Sequence, residues 1–153
     1  MRIVASPVYL DASALAKVYV PEAWSEELER ALLGRRDLLA SDLAVTELTS
    51  ALARRVRDGE LARSHARRVY QRVQRDLTGG EFRQVELTGP VHREAERLLM
   101  GLGRRVALRA ADALHLALAA LVGARVLVTF DRRMDAAARA LGTFELPAQV
   151  PGA

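Results

Sequence analysis

Four acids in this 153-residue chain stand where a carboxylate does more than solvate a surface. Asp11 ends the apolar run Val8-Tyr9-Leu10, and Asp131 ends the run from Arg125 to Phe130. Glu47 falls early in a helical stretch of mostly apolar or small residues, and Asp112 interrupts Ala110 to Val122, which is apolar on nearly every side. A helix of that kind belongs in a core. An ionised carboxylate removed from water is strongly penalised, so Asp112 must be protonated, paired with a cation, or coordinating a metal. The run itself offers no lysine or arginine. Each acid has a plainer reading beside this one: Asp11 as a helix N-cap, Glu47 as an acid complementing a helix dipole, an effect worth about 0.3–1 kcal/mol.

The elements that must position these acids follow from periodicity and punctuation. Val8–Leu10 is a strand, and Ala12–Tyr19 a helix that stops before Pro21. Residues 22–33 make a second helix with Trp24, Leu28, Ala31 and Leu32 inward, closed by Gly34. Leu38–Ser41 is a second strand; Ser41 or Asp42 then caps a helix running toward Gly59. Leu61–Leu77 is a long arginine-studded helix ended by Gly79 and Gly80, and its arginines read as a solvated face. Phe82–Leu87 alternates as a third strand, Pro90 opens a helix that ends near Gly103, and the Asp112 helix follows. Arg125–Phe130 is the clearest buried strand, Arg132 starts another helix, and Thr143–Leu146 is a last short strand. Strand–helix alternation implies an α/β fold with a parallel sheet covered on both faces, whose ligands sit outside the carboxyl ends of the strands. The length fits one domain over residues 1–153, with 1–6 and 147–153 as loosely held ends.

Composition narrows the chemistry. Half of the residues are hydrophobic and 27% charged, ordinary globular usage. No apolar run reaches bilayer length and no signal-peptide pattern opens the chain, so a cytoplasmic protein with no membrane association is expected. The absence of cysteine removes thiolate nucleophiles, disulfides and sulfur-ligated zinc. A net charge of +4 permits a polyanionic partner. Lys17 is the single lysine among 23 basic side chains, an arginine bias that lowers the weight of any one arginine cluster. His65 reads as a surface residue. His115 follows Asp112 by one helical turn, but no further histidine or cysteine pattern completes a zinc site, so His115 reads as a packing or hydrogen-bonding residue.

Asp11 and Asp131 lie at the ligand edge of such a sheet, and Glu47 and Asp112 on helices beside it. Carboxylates gathered there would raise one another's pKa unless a cation neutralised them. Hard oxygen donors without sulfur point to Mg²⁺ or Mn²⁺. Asp135, one turn into the last helix, can reach the same point as Asp131.

These residues resemble a known family. Tyr9-Leu10-Asp11-Ala12-Ser13-Ala14-Leu15, Thr46-Glu47-Leu48, Ala111-Asp112-Ala113-Leu114-His115-Leu116-Ala117 and Thr129-Phe130-Asp131 are similar, in order and spacing, to the four signature blocks of the PIN-domain ribonucleases, especially the VapC toxins of toxin–antitoxin pairs. The resemblance spans nearly the whole chain. It implies a three-layer α/β/α sandwich, Mg²⁺- or Mn²⁺-dependent cleavage of RNA, and Asp11, Glu47, Asp112 and Asp131 as the acids that hold metal. Ser13 and Thr129 would orient the first and last of them, with Asp135 auxiliary. It also implies a homodimer and a VapB-type antitoxin. Arg104, Arg105, Arg109, Arg132 and Arg133 are the nearest basic candidates for RNA phosphates. The competing readings are a catalytically inert PIN-like domain that binds RNA or protein, and a phosphoryl-transfer or receiver-like domain.

Overall fold

The computed structural model describes residues 1–147 of the chain. Four short strands, β1 (Val8–Leu10), β2 (Leu38–Ser41), β3 (Arg83–Val85) and β4 (Val126–Val128), form a parallel sheet in the order β3-β2-β1-β4. Val8, Tyr9 and Leu10 pair with Leu38, Leu39 and Ala40 on one side and with Val126, Leu127 and Val128 on the other. A strand with neighbours on both edges and helices on both faces must be apolar throughout, and all three β1 residues are fully buried.

Alternation along the strands divides the core in two. Val8, Leu10, Leu38, Ala40, Val126 and Val128 face α1 (Ala12–Tyr19), α2 (Ser25–Leu32), α3 (Asp42–Arg57) and α4 (Arg63–Gly79). Tyr9, Leu39 and Leu127 face α5 (Gly89–Leu102), α6 (Ala110–Leu121) and α7 (Arg132–Leu141). The result is the three-layer α/β/α sandwich. Among the described residues no helix is long and apolar enough to cross a membrane.

Local chemistry shifts several boundaries. The second helix begins at Ser25, not Glu22, because the Glu22 N–H donates to Ser25 Oγ at 3.0 Å and the Ser25 hydroxyl donates to the Lys17 carbonyl at 2.8 Å. Residues 22–24 therefore turn, and Trp24, expected inward, adopts a left-handed φ of 73° and is 39% exposed. The third strand stops at Val85, since the Leu87 N–H leaves the sheet for the Asp42 carboxylate at 3.0 Å. The expected last strand is one bridge, Val126 to Glu145. Residues before β1 are held rather than loose: the Arg35 guanidinium donates to the carbonyls of Ile3 (3.0 Å) and Ala5 (2.9 Å) and pairs with Asp37. The expectation of a loose carboxyl-terminal end falls, from residue 148 onward, outside the described residues.

Candidate active site

The helices α1, α3 and α7 each start immediately after a strand or within a few residues of one, so their first turns line the carboxyl edge of the sheet. Asp11 is the N-cap of α1: its Oδ1 accepts from Ala14 N–H at 2.9 Å, as the capping reading requires. It does more than cap. Ser13 Oγ donates to Oδ1 at 2.7 Å and Thr129 Oγ1 donates to Oδ2 at 2.6 Å, and the side chain is buried. Burial pushes the Asp11 carboxyl above the usual carboxylate range, against the opposing pull of His115 and of the Thr129, Ser13 and Ala14 donors.

The same donors knit β1 to β4. Phe130 N–H donates to Ser13 Oγ at 2.8 Å and Asp131 N–H to Thr129 Oγ1 at 3.1 Å. The strand itself ends at Val128, so Thr129 and Phe130 have left the ladder and are free to make these bonds. Thr129 thus orients Asp11 instead of the Asp131 carboxylate. Asp131 is the N-cap of α7, its Oδ1 accepting from Arg133 N–H at 2.7 Å and Met134 N–H at 3.2 Å.

Glu47 is held in a different way. His115 Nε2 lies 2.7 Å from Glu47 Oε2, and His115 Nδ1 lies 2.7 Å from the Tyr9 hydroxyl, which is itself 2.8 Å from Ser41 Oγ. Tyr9, His115 and Ser41 are buried, so a polar chain runs from β2 through the centre of the sheet to α6 and out to α3. The Tyr9 hydroxyl donates to Ser41 Oγ and meets His115 Nδ1, the ring nitrogen that Glu47 does not contact. Burial drives the Tyr9 phenol upward, opposed by Ser41 and reinforced by the charges of Asp11, Glu47 and Asp42, so Tyr9 stays protonated. Sequence reasoning read His115 as a hydrogen-bonding residue and missed Tyr9, whose place between two leucine-rich strands gave no sign that its hydroxyl would find a partner.

Asp112 corrects the reading that its carboxylate is removed from water. Helix α6 begins at Ala110, so Asp112 lies in its first turn, half-buried, with Oδ2 accepting the Arg109 N–H at 3.1 Å. The fully buried part of α6 starts one residue later, at Ala113. A carboxylate at a helix N-terminus is stabilised by the dipole and needs no buried cation. Asp112 remains one turn from His115 and so on the Glu47 side of the site.

Asp135 is buried but committed: Arg139 Nε donates to one carboxylate oxygen at 2.7 Å and Nη2 to the other at 3.1 Å. In Glu47, Asp112 and Asp131, by contrast, one oxygen is hydrogen-bonded and its twin has no protein partner among the described residues. Arg104, Arg105, Arg109, Arg132 and Arg133 are exposed. Arg109 adjoins the Asp112 turn, and Arg132 and Arg133 open α7 beside Asp131.

The donor set fits a hard divalent cation in kind: all four are carboxylates, Asp11 deeply buried and Glu47, Asp112 and Asp131 each with an open oxygen. As the side chains stand, no three His, Asp or Glu residues among those described close into a cluster that would hold an ion.

Comparison with known proteins places the sequence and the fold. The PIN domain family model matches residues 8–140. Ribonuclease VapC49 of Mycobacterium tuberculosis is 37% identical over 145 residues, covering 94% of this chain and 96% of the relative. The crystal structure of M. tuberculosis VapC20, described as a sarcin-ricin loop cleaving toxin, superposes with a TM-score of 0.68 at 18% identity, covering 86% of this chain and 95% of that one. A toxin–antitoxin complex from Klebsiella pneumoniae superposes with a TM-score of 0.65 at 14% identity, covering 94% and 100%. The chain belongs to the PIN domain family and, within it, to the VapC ribonucleases.

Proposed function

We propose that the protein is a divalent-metal-dependent endoribonuclease acting as the toxin of a toxin–antitoxin pair in the cytoplasm, with Asp11, Glu47, Asp112 and Asp131 as its metal-holding acids. The observation that carries this reading is Asp11. A carboxylate this buried, given only neutral donors and a neighbouring histidine, is held ready for a cation.

Mg²⁺ or Mn²⁺, when bound, activates water and neutralises charge on a leaving oxygen. The chain's own residues set the stage. Ser13, Thr129 and the Ala14 N–H fix both oxygens of Asp11, so it cannot rotate away. The open oxygens of Glu47, Asp112 and Asp131 complete the oxygen donors. Asp135, neutralised by Arg139, stays outside the set. Arg104, Arg105, Arg109, Arg132 and Arg133 meet phosphates of the RNA, whose recognition rests on backbone shape and the 2′-hydroxyl. The relatives' names and the Klebsiella complex support a VapB-type antitoxin as the protein partner; a homodimeric toxin is part of the same proposal.

The test is cleavage of a mixed RNA pool with Mg²⁺ or Mn²⁺, with EDTA, and with Asp112→Asn. Cleavage is expected only in the first. Activity that survives chelation, or that Asp112→Asn leaves whole, contradicts the reading; metal-independent RNA binding without cleavage marks an inert domain.

A further inference from the structure

Beside the acids, and outside everything assigned to them, a cavity of about 320 Å³ opens between α1 and α3. Ser13 and Phe130 form its near wall; Lys17, Arg54 and Arg55 line it further on, with Glu22 at its rim. Ser13 is the residue that bonds Asp11, and Phe130 sits between Thr129 and Asp131, so the cavity is continuous with the acid edge. The small side chains of Ala16 and Ala51 on the facing helices leave the space open. Helix geometry sets a polarity along the groove. From Ser13 to Lys17 is one turn, about 6 Å, and from Glu47 to Arg54 two turns, about 10 Å. Oxygen donors therefore give way to cations in a fixed order along both helices.

The cavity already holds an anion. The Glu22 carboxylate places one oxygen 2.9 Å from Arg55 Nη1 and the other 3.3 Å from Lys17 Nζ. Two of the three cations, Lys17 and Arg55, share that one carboxylate, Arg55 Nε lies 3.7 Å from Glu60, and Arg54 lines the cavity with no ion pair among the described residues. That Nε is buried with no hydrogen-bond partner among the described residues, an unmet donor of the kind an unseen ligand satisfies. Lys17 Nζ also lies 5.0 Å from the Phe130 ring centroid, which fixes the ammonium at the mouth nearest the acids.

We propose that this cavity binds a backbone phosphate of the RNA strand beyond the scissile one, through Lys17, Arg54 and Arg55, with Glu22 as the internal anion it displaces. The proposal rests on the ribonuclease reading for its substrate, but its measurement is independent of cleavage. The single lysine of the chain is then a substrate contact rather than one more basic residue on a basic surface.

The experiment is fluorescence anisotropy with a labelled, unstructured ten-nucleotide RNA in EDTA, where nothing is cut, over a salt series. Lys17→Ala is expected to weaken binding about tenfold. The Lys17→Ala/Arg54→Ala pair is expected to flatten the salt slope by about 0.7, the value for one phosphate on a single strand. Glu22→Gln is expected to tighten binding at least threefold, a change in the direction no unfolded variant gives. Unchanged affinity in Lys17→Ala, weaker or unchanged binding in Glu22→Gln, or no binding by the wild type overturns the proposal. A labelled polyglutamate that binds as tightly, with the same dependence on these residues, also overturns it by assigning the cavity to an acidic protein segment. Absence of cleavage with these binding shifts intact sinks the nuclease reading and leaves the phosphate site standing.

Discussion

The two sides of the acid edge are built by different means. On the Asp11 side two of the three donors are local, Ser13 and Ala14 lying within three residues of Asp11, and the third, Thr129, is 118 residues away, just past the end of the neighbouring strand. On the Glu47 side nothing is local. His115 is 68 residues from Glu47 and 106 from Tyr9, and only the packing of α3 and α6 around the sheet brings them together. A helix cap clamped by one distant hydroxyl leaves a rigid, desolvated acid. Long-range construction leaves a half-exposed acid whose orientation depends on one imidazole.

That contrast orders the expected effects. Asp11→Asn should lower cleavage about a thousandfold, roughly 4 kcal/mol of transition-state stabilisation, while raising the melting temperature of the metal-free protein, since the amide carries no charge to desolvate. The sign follows from the raised carboxyl of Asp11. Its ionised form is disfavoured in the fold, so wild-type stability relative to Asp11→Asn is greatest below the unfolded carboxylate pKa and declines as pH rises to the folded value. A pH series of thermal melts in EDTA checks this; a gap that closes with rising pH breaks the comparison.

His115→Ala should raise the Mg²⁺ concentration for half-maximal activity about 10–100-fold, the usual cost of losing a residue that orients a metal ligand. Excess Mg²⁺ should recover part of the rate, whereas it should recover none in Asp11→Asn. Titrations of cleavage against Mg²⁺ distinguish the two. Tyr9→Phe acts one bond further out. It leaves Ser41 and His115 Nδ1 short of a partner, a cost of about 1–3 kcal/mol in stability measured by urea unfolding, with a smaller shift in Mg²⁺ dependence than His115→Ala gives. Smallest should be Asp135→Asn: loss of its pair with Arg139 lowers the melting point and leaves Mg²⁺ half-saturation where it was.

How much of this was legible in the sequence follows the same division. Asp11, Ser41 and Asp131 are caps at strand-to-helix junctions, and local patterns of that kind are readable from spacing. The parallel sheet was legible for the same reason, through its regular alternation of strand and helix. The partner of Thr129 was not, because it depends on β4 ending at Val128 and releasing the next two residues. Asp112 was read as buried because its helix is apolar on nearly every side, and composition does not reveal that the first turn stays half-exposed. Trp24 was misread because Ser25 supplies a side-chain oxygen that restarts the helix after it. At Thr129 and at Trp24 a single hydrogen bond, invisible to periodicity, moved the boundary.

The central claim is that acids distant in the chain jointly hold a divalent ion at the sheet edge. Anomalous diffraction at the manganese edge from crystals soaked in Mn²⁺ tests it directly. The expected map places its strongest peak among Asp11, Glu47, Asp112 and Asp131 in the wild type and loses that peak in Asp11→Asn crystals. A peak at Asp135 or elsewhere on the surface, or one undiminished in Asp11→Asn, would contradict it.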